Sequence, residues 1–446
     1  MRFVSLNNPT DTVSFQQALE NGLPKDPASL YVPEFMPQLS GDEVEGLIGA
    51  DPREIGRIML SPFVSGEIPD EDLRGIVNDA VTFETPLVKV GDKKVLELFH
   101  GPAMAFKDVA ARYIGSFISY YSRRTGRPST VLVATTGDTG RSMARGLAGM
   151  EGVNLVIVYP KDHVSRQQKE QLRRVPDNAH TVEVGGTFND CVDFITAAFA
   201  NQELREELNL TSANSTNVGR LLPQTTYYGG LFSQLEGEAA RVVVPTGNLG
   251  NLTAGVMARA MGVPLAKFLA ANNPNDVLTR YLNTGYYIPT ETISSIANAM
   301  NVNDPRNKPR LDALFDGDIK RMRAVIQAAT VNDREIVDTI LRVRDETGYI
   351  LDPHTAVGWA ASEVVDSGQL SDVIVSTASP EIFAEEIFNA TGIEVDDSAL
   401  TAEVRKMPER YTEIDDVEEF KEFLRGIKLP VSSMVQRETQ TEQQIS

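Results

Sequence analysis

Cysteine occurs once in this chain, at Cys191, and histidine only four times. A single thiol excludes an internal disulfide framework and any multi-cysteine metal site. His100, His163, His180 and His354 are too scattered for paired ligand spacing, so no metal site is expected. No apolar run approaches about 18 residues, and the chain does not open on a basic stretch followed by an apolar core. A cytoplasmic protein without a membrane partner is the expectation. Cations are also scarce: 42 Lys and Arg stand against 62 Asp and Glu, a formal net charge of −20. The mean field of such a chain repels nucleic acid and anionic lipid, so an anionic substrate has to be captured by local donors.

What is present is an ordinary globular composition, 41% hydrophobic and 23% charged over 446 residues, enough for two or three domains. Residues 1–95 mix short helical patterns with many prolines and read as a packed helical region. From about 130 the texture changes. Short β-branched runs at 130–135, 154–159, 181–184, 241–244, 265–270 and 372–377 end in Gly, Pro or Ser and alternate with helical stretches. Near-continuous apolar strands alternating with helices predict α/β architecture with parallel sheets covered on both faces. Ligands in such sheets sit beyond the carboxyl ends of the strands. Cys191 falls in a predicted helix as a buried structural thiol. Residues 402–423 read as acidic and helical, and 431–446 as a polar tail.

Four segments occupy positions where chemistry is expected. Lys107 closes Leu96–Asp108, an apolar, small-residue turn; burial there disfavours an ammonium and favours an amine able to form a Schiff base. The plainer alternative is a helix-start lysine paired with Asp108. Ala134–Gly140 combines hydroxyls, glycines and a helix start, suited to a carboxylate or phosphate, although Asp138 or Thr139 could serve only as a cap. Pro245–Thr253 follows a strand and precedes a helix, and its two glycines let several amides converge on a phosphate. It carries neither the dinucleotide three-glycine spacing nor a P-loop lysine. Ser212–Arg220 is dense in donors and ends in an arginine able to grip a phosphate, or else solvated beside a capping loop. After the last strand, a hydroxyl of Ser376–Ser379 could meet a heteroaromatic nitrogen, or cap the helix from Pro380. A lysine aldehyde trap, a phosphate cradle and a ring-nitrogen partner together are what pyridoxal 5'-phosphate requires.

Through these four motifs in this order, with Ile296–Val302 and Asp352–His354, the chain resembles the threonine synthases. These belong to the pyridoxal-phosphate-dependent family that shares the tryptophan synthase β-subunit fold. The resemblance implies a fold-type II enzyme: two parallel-sheet α/β domains around a cleft, plus the N-terminal region. The implied segments are 1–95 (N-terminal), 96–129 (lysine segment packed on the large domain), 130–225 (small mobile substrate domain), 226–430 (large cofactor domain) and 431–446 (tail). It implies a carbon–oxygen lyase acting on a phosphate, making L-threonine from O-phospho-L-homoserine and water as a monomer or homodimer. Lys107 would be the Schiff-base lysine. Gly247, Asn248, Leu249, Gly250 and Asn251 would cradle the cofactor phosphate, and Thr377 would face the ring nitrogen. Thr135, Thr136 and Asp138 would lie near the substrate carboxylate or the cofactor's 3′ oxygen, with Thr139, Asn214, Ser215 and Arg220 on the substrate phosphate. The chain departs from the family pattern at Ala103 (usually a hydroxyl residue), Thr136 (usually Ser), Arg141 and Ser142 (usually small and apolar), and Asn251 and Asn301 (often Asp). These departures keep two alternatives open: a phospho-lyase releasing a 2-oxo acid, and a synthase acting on a phosphonate analogue.

Overall fold

The computed structural model describes residues 1–427 except Pro27, His163 and Ser165; the side chains of Asp138, Arg166, Gln167, Ala399 and Leu400 also lie outside the description, as does the expected tail 431–446. The N-terminal strands β1 (Phe3–Ser5), β2 (Asn8–Val13) and β3 (Tyr31–Pro33) form a small antiparallel sheet in the order β2-β1-β3. Helices Phe15–Asn21, Pro52–Val64 and Asp70–Ala80 follow, each placing one apolar face inward. The sheet was not anticipated within a region read as helical, because its strands are too short to show a period.

Two larger sheets carry the rest. Strands β4 (Leu87–Val90) and β5 (Lys93–Glu97) open the larger one. Strands β6 (Ser129–Ala134), β7 (Val153–Pro160), β8 (Ala179–Val184) and β9 (Leu210–Ser212) make the smaller one. Strands β10 (Ala240–Pro245), β11 (Lys267–Asn272), β12 (Ile326–Thr330) and β13 (Ser371–Ser376) return to the larger, and β14 (Thr412–Glu413) to the smaller. The orders are β12-β11-β10-β13-β5-β4 and β14-β8-β7-β6-β9. All these pairs are parallel except β4 with β5.

Alternate strand residues face different cores, as the pleat requires. Val242, Val244, Val373 and Val375 enter the central cluster, while Val243 and Ile374 join Val357 and Ile340 behind the larger sheet. Val131 and Val133 face the same central cluster, and Leu132 and Ala134 a third one. Cys191 lies fully buried there on helix Phe188–Ala200, where burial pushes its thiol up to about 12.

Three boundaries differ from expectation. Residues 87–97 belong to the larger sheet, not to an N-terminal unit ending at 95. β14 and helix Val417–Gly426 join the smaller sheet, because Ile414, Phe420 and Leu424 complete its outer core; the large unit therefore does not run to 430. The lysine-bearing helix Lys107–Thr125 packs on the small unit as well as the large: a Cβ at Gly146 would stand 2.5 Å from that of Ala111, so the helices touch closely. Among the described residues no helix is long and apolar enough to cross a membrane.

Candidate active site

β10, β13 and β5 are consecutive parallel neighbours, so the turns leaving them share one edge of the sheet. Those turns hold the 245–251 glycine turn, Thr377 and the approach to Lys107. The last is fixed by the backbone: Phe106 N–H donates to the Thr377 carbonyl at 2.8 Å and Ser379 N–H to the Met104 carbonyl at 3.0 Å. Ala105 and Ala378 form an isolated antiparallel bridge. Met104 takes a positive φ of 55°, closed by its amide on the Gly101 carbonyl at 2.9 Å. The buried Tyr227 hydroxyl donates to the Phe106 carbonyl.

Lys107 then starts its helix, partly buried, with Nζ 4.8 Å from the centre of the Phe106 ring. The carboxylate of Asp108 turns back on the loop, accepting from Ala103 N–H at 2.8 Å and Ala105 N–H at 3.4 Å. Gly101 cannot carry a side chain, since its Cβ would lie 2.6 Å from Asp108 Cβ and Oδ2. Burial pushes the Asp108 pKa up to about 6, opposed by those two amides and by Arg141. The cation at Arg141 thus has an acid within its field, as a positive residue in a helix's first turn requires; it is itself buried and donates to Gln171 Oε1 at 2.5 Å.

Past β10, Leu249 adopts φ 59° and starts helix Gly250–Ala260 without a side-chain acceptor for its first amides. Such a terminus is open to an anion. Gly247 is required by space: a Cβ would lie 2.8 Å from Met300 Cα. The Asn248 side chain is engaged on both ends, its Oδ1 accepting from Arg306 N–H at 2.6 Å and its Nδ2 donating to Ser215 Oγ at 2.6 Å. Asn251 is turned into the core, accepting from the Tyr228 hydroxyl at 2.8 Å and donating to Gln224 Oε1 at 3.3 Å. Only their backbone amides are left to face a phosphate. Asn301 accepts from Asn273 at 2.8 Å in a group of neutral carboxamides. Behind them, Ala299 N–H donates to His354 Nε2 at 3.1 Å, and His354 Nδ1 meets Asp352 Oδ1 at 2.8 Å; the accepting Nε2 makes this a neutral imidazole with its proton on Nδ1.

The first glycine turn differs from expectation at Thr135. Its hydroxyl oxygen accepts from the amides of Gly137 (3.0 Å) and Gly140 (3.1 Å). It is committed to the turn rather than to a substrate carboxylate, because Gly137 has no side chain with which to cap helix Asp138–Gly146. Thr136 is exposed and Thr139 half-buried; the side chain of Asp138 lies outside the description. Asn214 and Ser215 are half-buried.

Arg220 is neither solvated nor paired with an acid. It is 3% exposed, with Nη1 donating to the Ala213 carbonyl at 2.6 Å and standing 3.9 Å from the Met143 sulfur. Its Nε has no partner, and no carboxylate among the described residues lies within ion-pair distance. Burial pushes its pKa down to about 10, still charged at neutral pH. At the end of β13, Thr377 is buried, and Ser379 performs the capping expected of this segment by accepting from Glu381 N–H at 3.3 Å.

The structure therefore gathers Lys107, Thr377 and the 247–251 turn at one sheet edge, and joins the cradle to the donor-rich segment through Asn248 and Ser215. Among the described residues, neither Thr139 nor Asn214 hydrogen-bonds to Arg220. Tyr227, Gln224 and Asn307 act at the site without any sequence pattern to mark them. Among the described residues no group of three His, Cys, Asp or Glu could hold a metal ion.

Residues 83–379 match the family of pyridoxal-phosphate dependent enzymes, and residues 2–81 match the threonine synthase N terminus. The threonine synthase of Serratia marcescens is 36% identical over 400 residues, covering 89% of this chain and 92% of that protein. That of Escherichia coli K12 is 35% identical, covering 92% and 95%. Among solved structures, Escherichia coli threonine synthase aligns with a TM-score of 0.86 at 33% identity, covering 96% of this chain and all of that one. The pyridoxal-phosphate-bound threonine synthase of Brucella melitensis aligns with 0.89 at 30%, covering 96% and 99%. A maize serine racemase at 17% identity and a TM-score of 0.53 shares the fold alone. With similarity over nearly its whole length and a lysine, a glycine cradle and a strand-end hydroxyl on one edge, the chain belongs to the threonine synthase family of pyridoxal-phosphate-dependent enzymes.

Proposed function

We propose that this enzyme converts O-phospho-L-homoserine and water into L-threonine and phosphate, and that Arg220 grips the phosphate that leaves. The observation carrying this is the Arg220 guanidinium, desolvated without a carboxylate and with one nitrogen unpartnered. An unpaired buried cation is costly, and a dianionic ligand offsets that cost. Ser215, held at Asn248, and Asn214 sit on the same segment, and Thr139 of the first glycine turn would be a further donor.

Pyridoxal phosphate fits the sheet edge. The amides of Gly247, Asn248, Leu249, Gly250 and Asn251 at an uncapped helix start would hold its phosphate, Thr377 would meet its ring nitrogen, and Lys107 would hold it covalently. When bound, the cofactor supplies the electron sink that acidifies the substrate's Cα and Cβ hydrogens. The Lys107 amine would move the Cα proton of the substrate and then one from Cβ. Arg220 and its neighbours would steady the departing phosphate at Cγ, which carries away one of the two protons removed; the other is returned to Cγ, and water adds its hydroxyl at Cβ and its proton at Cα. Thr377, a neutral hydroxyl residue, would leave the ring nitrogen without full positive charge, which suits chemistry displaced to Cβ and Cγ. A lone buried thiol suits the cytoplasm. The Ser215–Asn248 bond is where closure of the small unit on the large would register.

Incubating the holoenzyme with O-phospho-L-homoserine tests the proposal. Equal amounts of threonine and phosphate are expected. Release of 2-oxobutyrate instead would assign a phospho-lyase, and turnover confined to a phosphonate analogue would assign the other alternative.

A further inference from the structure

A second arginine, Arg310 on helix Lys308–Ala313, is buried against the same donor segment. Its Nε and Nη2 donate to the Tyr31 carbonyl at 3.0 and 2.9 Å. Nη2 also donates to the Thr216 carbonyl at 2.6 Å, and Nη1 to Asn307 Oδ1 at 3.0 Å. Asn307 Nδ2 in turn donates to the Asn248 carbonyl at 3.0 Å, and Asn248 Nδ2 to Ser215 Oγ at 2.6 Å. These bonds close a circuit, Arg310–Asn307–Asn248–Ser215–Thr216–Arg310, joining the cofactor cradle, the donor segment and the N-terminal region. No carboxylate among the described residues pairs with Arg310, and burial pushes its pKa down to about 9. A methionine or leucine would fill this volume without the desolvation cost. The planar fork, by contrast, satisfies three acceptors in fixed directions.

We propose that Arg310 is a positioning residue for phosphate-monoester recognition: it sets the Ser215–Thr216 turn against the cofactor cradle and keeps an uncompensated positive charge behind the place where the substrate's phosphate is held. The proposal rests on the reading that Ser212–Arg220 holds that phosphate. It makes substrate affinity, rather than the chemical step, the quantity Arg310 controls.

The test uses holoenzyme carrying Arg310→Lys or Arg310→Gln, with Arg220→Met in parallel. Lysine keeps the charge and loses the fork; glutamine loses both. Inorganic phosphate serves as a competitive probe beside O-phospho-L-homoserine. Arg310→Gln is expected to raise KM and the inhibition constant for phosphate together by at least about tenfold. In that variant kcat at saturation falls by less than about threefold and the cofactor's visible absorption persists. Arg310→Lys is expected to fall between it and the parent. Unchanged KM and phosphate inhibition in a folded, cofactor-loaded variant would overturn the proposal, as would loss of kcat without loss of affinity. Failure of both variants to yield soluble holoenzyme would assign Arg310 to fold stability and overturn it as well. If Arg220→Met also leaves phosphate affinity intact, the underlying reading fails; if Arg220→Met loses it and the Arg310 variants do not, only this proposal falls.

Discussion

The amide of Phe106 donates to the carbonyl of Thr377 at 2.8 Å, so the residue preceding the proposed Schiff-base lysine is fastened to the residue proposed to meet the ring nitrogen. Because the link is main chain to main chain, side chains on either side can be changed separately. Thr377→Val should keep the fold and the yellow colour of the holoenzyme while lowering kcat about 10- to 100-fold, the worth of one lost hydrogen bond at the reacting system. Lys107→Ala should lose colour and turnover together. Absorption spectra and steady-state assays of the two variants decide; a colourless Thr377→Val or a yellow, active Lys107→Ala contradicts the assignment.

Tyr227 holds the other side of that junction, its hydroxyl on the Phe106 carbonyl in a buried setting. Tyr227→Phe strands the carbonyl and should cost about 1–3 kcal/mol in urea unfolding. Turnover should fall with it, since the lysine loop loses a tether. An unchanged unfolding midpoint would show that the bond contributes nothing.

Arg220 predicts a trade between stability and function. Arg220→Met removes an unpaired buried charge, so unfolding stability should stay within about 1 kcal/mol of the parent or rise. KM for the phosphorylated substrate should rise about 100-fold. A strongly destabilised variant with unaltered KM would reverse the assignment.

Asp108 should leave a signature in pH. Burial disfavours its carboxylate and pushes its pKa in the folded protein up to about 6, above the 3.8 of a solvated aspartate. The folded state therefore binds a proton that the unfolded chain has released, and the cost of ionising Asp108 is absent below about pH 4 and complete above about pH 6. Charged and titratable groups facing it are Arg112 on its own helix, Arg141 and Arg145 on helix Asp138–Gly146, and Arg220 and Tyr227. Asp108→Asn lacks the titration, so its stability relative to the parent should improve by up to about 3 kcal/mol from pH 4 to pH 7. Unfolding at several pH values measures this; a constant difference would remove Asp108 as the titrating group.

Gly247 tests the cradle. Gly247→Ala drives a methyl to 2.8 Å from the Met300 backbone, which cannot rotate away. A loss of about 1–3 kcal/mol is expected, with weaker cofactor retention measured by dialysis.

The strands legible in the sequence are those buried on both faces. Thr130–Thr135 and Arg241–Val244 read as continuous apolar runs because helices cover both sides of their sheets. β12 was hidden because Ile326–Thr330 continues directly from helix Ile319–Val325 without a punctuating glycine or proline. β14 is two exposed residues, too few for any pattern. Gly247 and Thr377 stood out as candidates because each closely follows an apolar strand, and Lys107 because it starts a helix after an apolar, small-residue turn. Arg310 did not, since its acceptor at Tyr31 lies 279 residues away and nothing local distinguishes it. The part Thr135 plays in its own turn was hidden for a related reason: the sequence offers a hydroxyl next to glycines, and only coordinates reveal that it accepts from the amides of Gly137 and Gly140.

The carbonyl of Leu19 receives both the Thr211 hydroxyl and the Asn217 amide, each at 2.9 Å. A shortened enzyme beginning at the first strand of the larger sheet would strip both donors of their acceptor and open the root of the segment that ends in Arg220 to water. Domain-swapping or trimming experiments that treat the first eighty residues as a detachable appendage would therefore take away the footing of that segment.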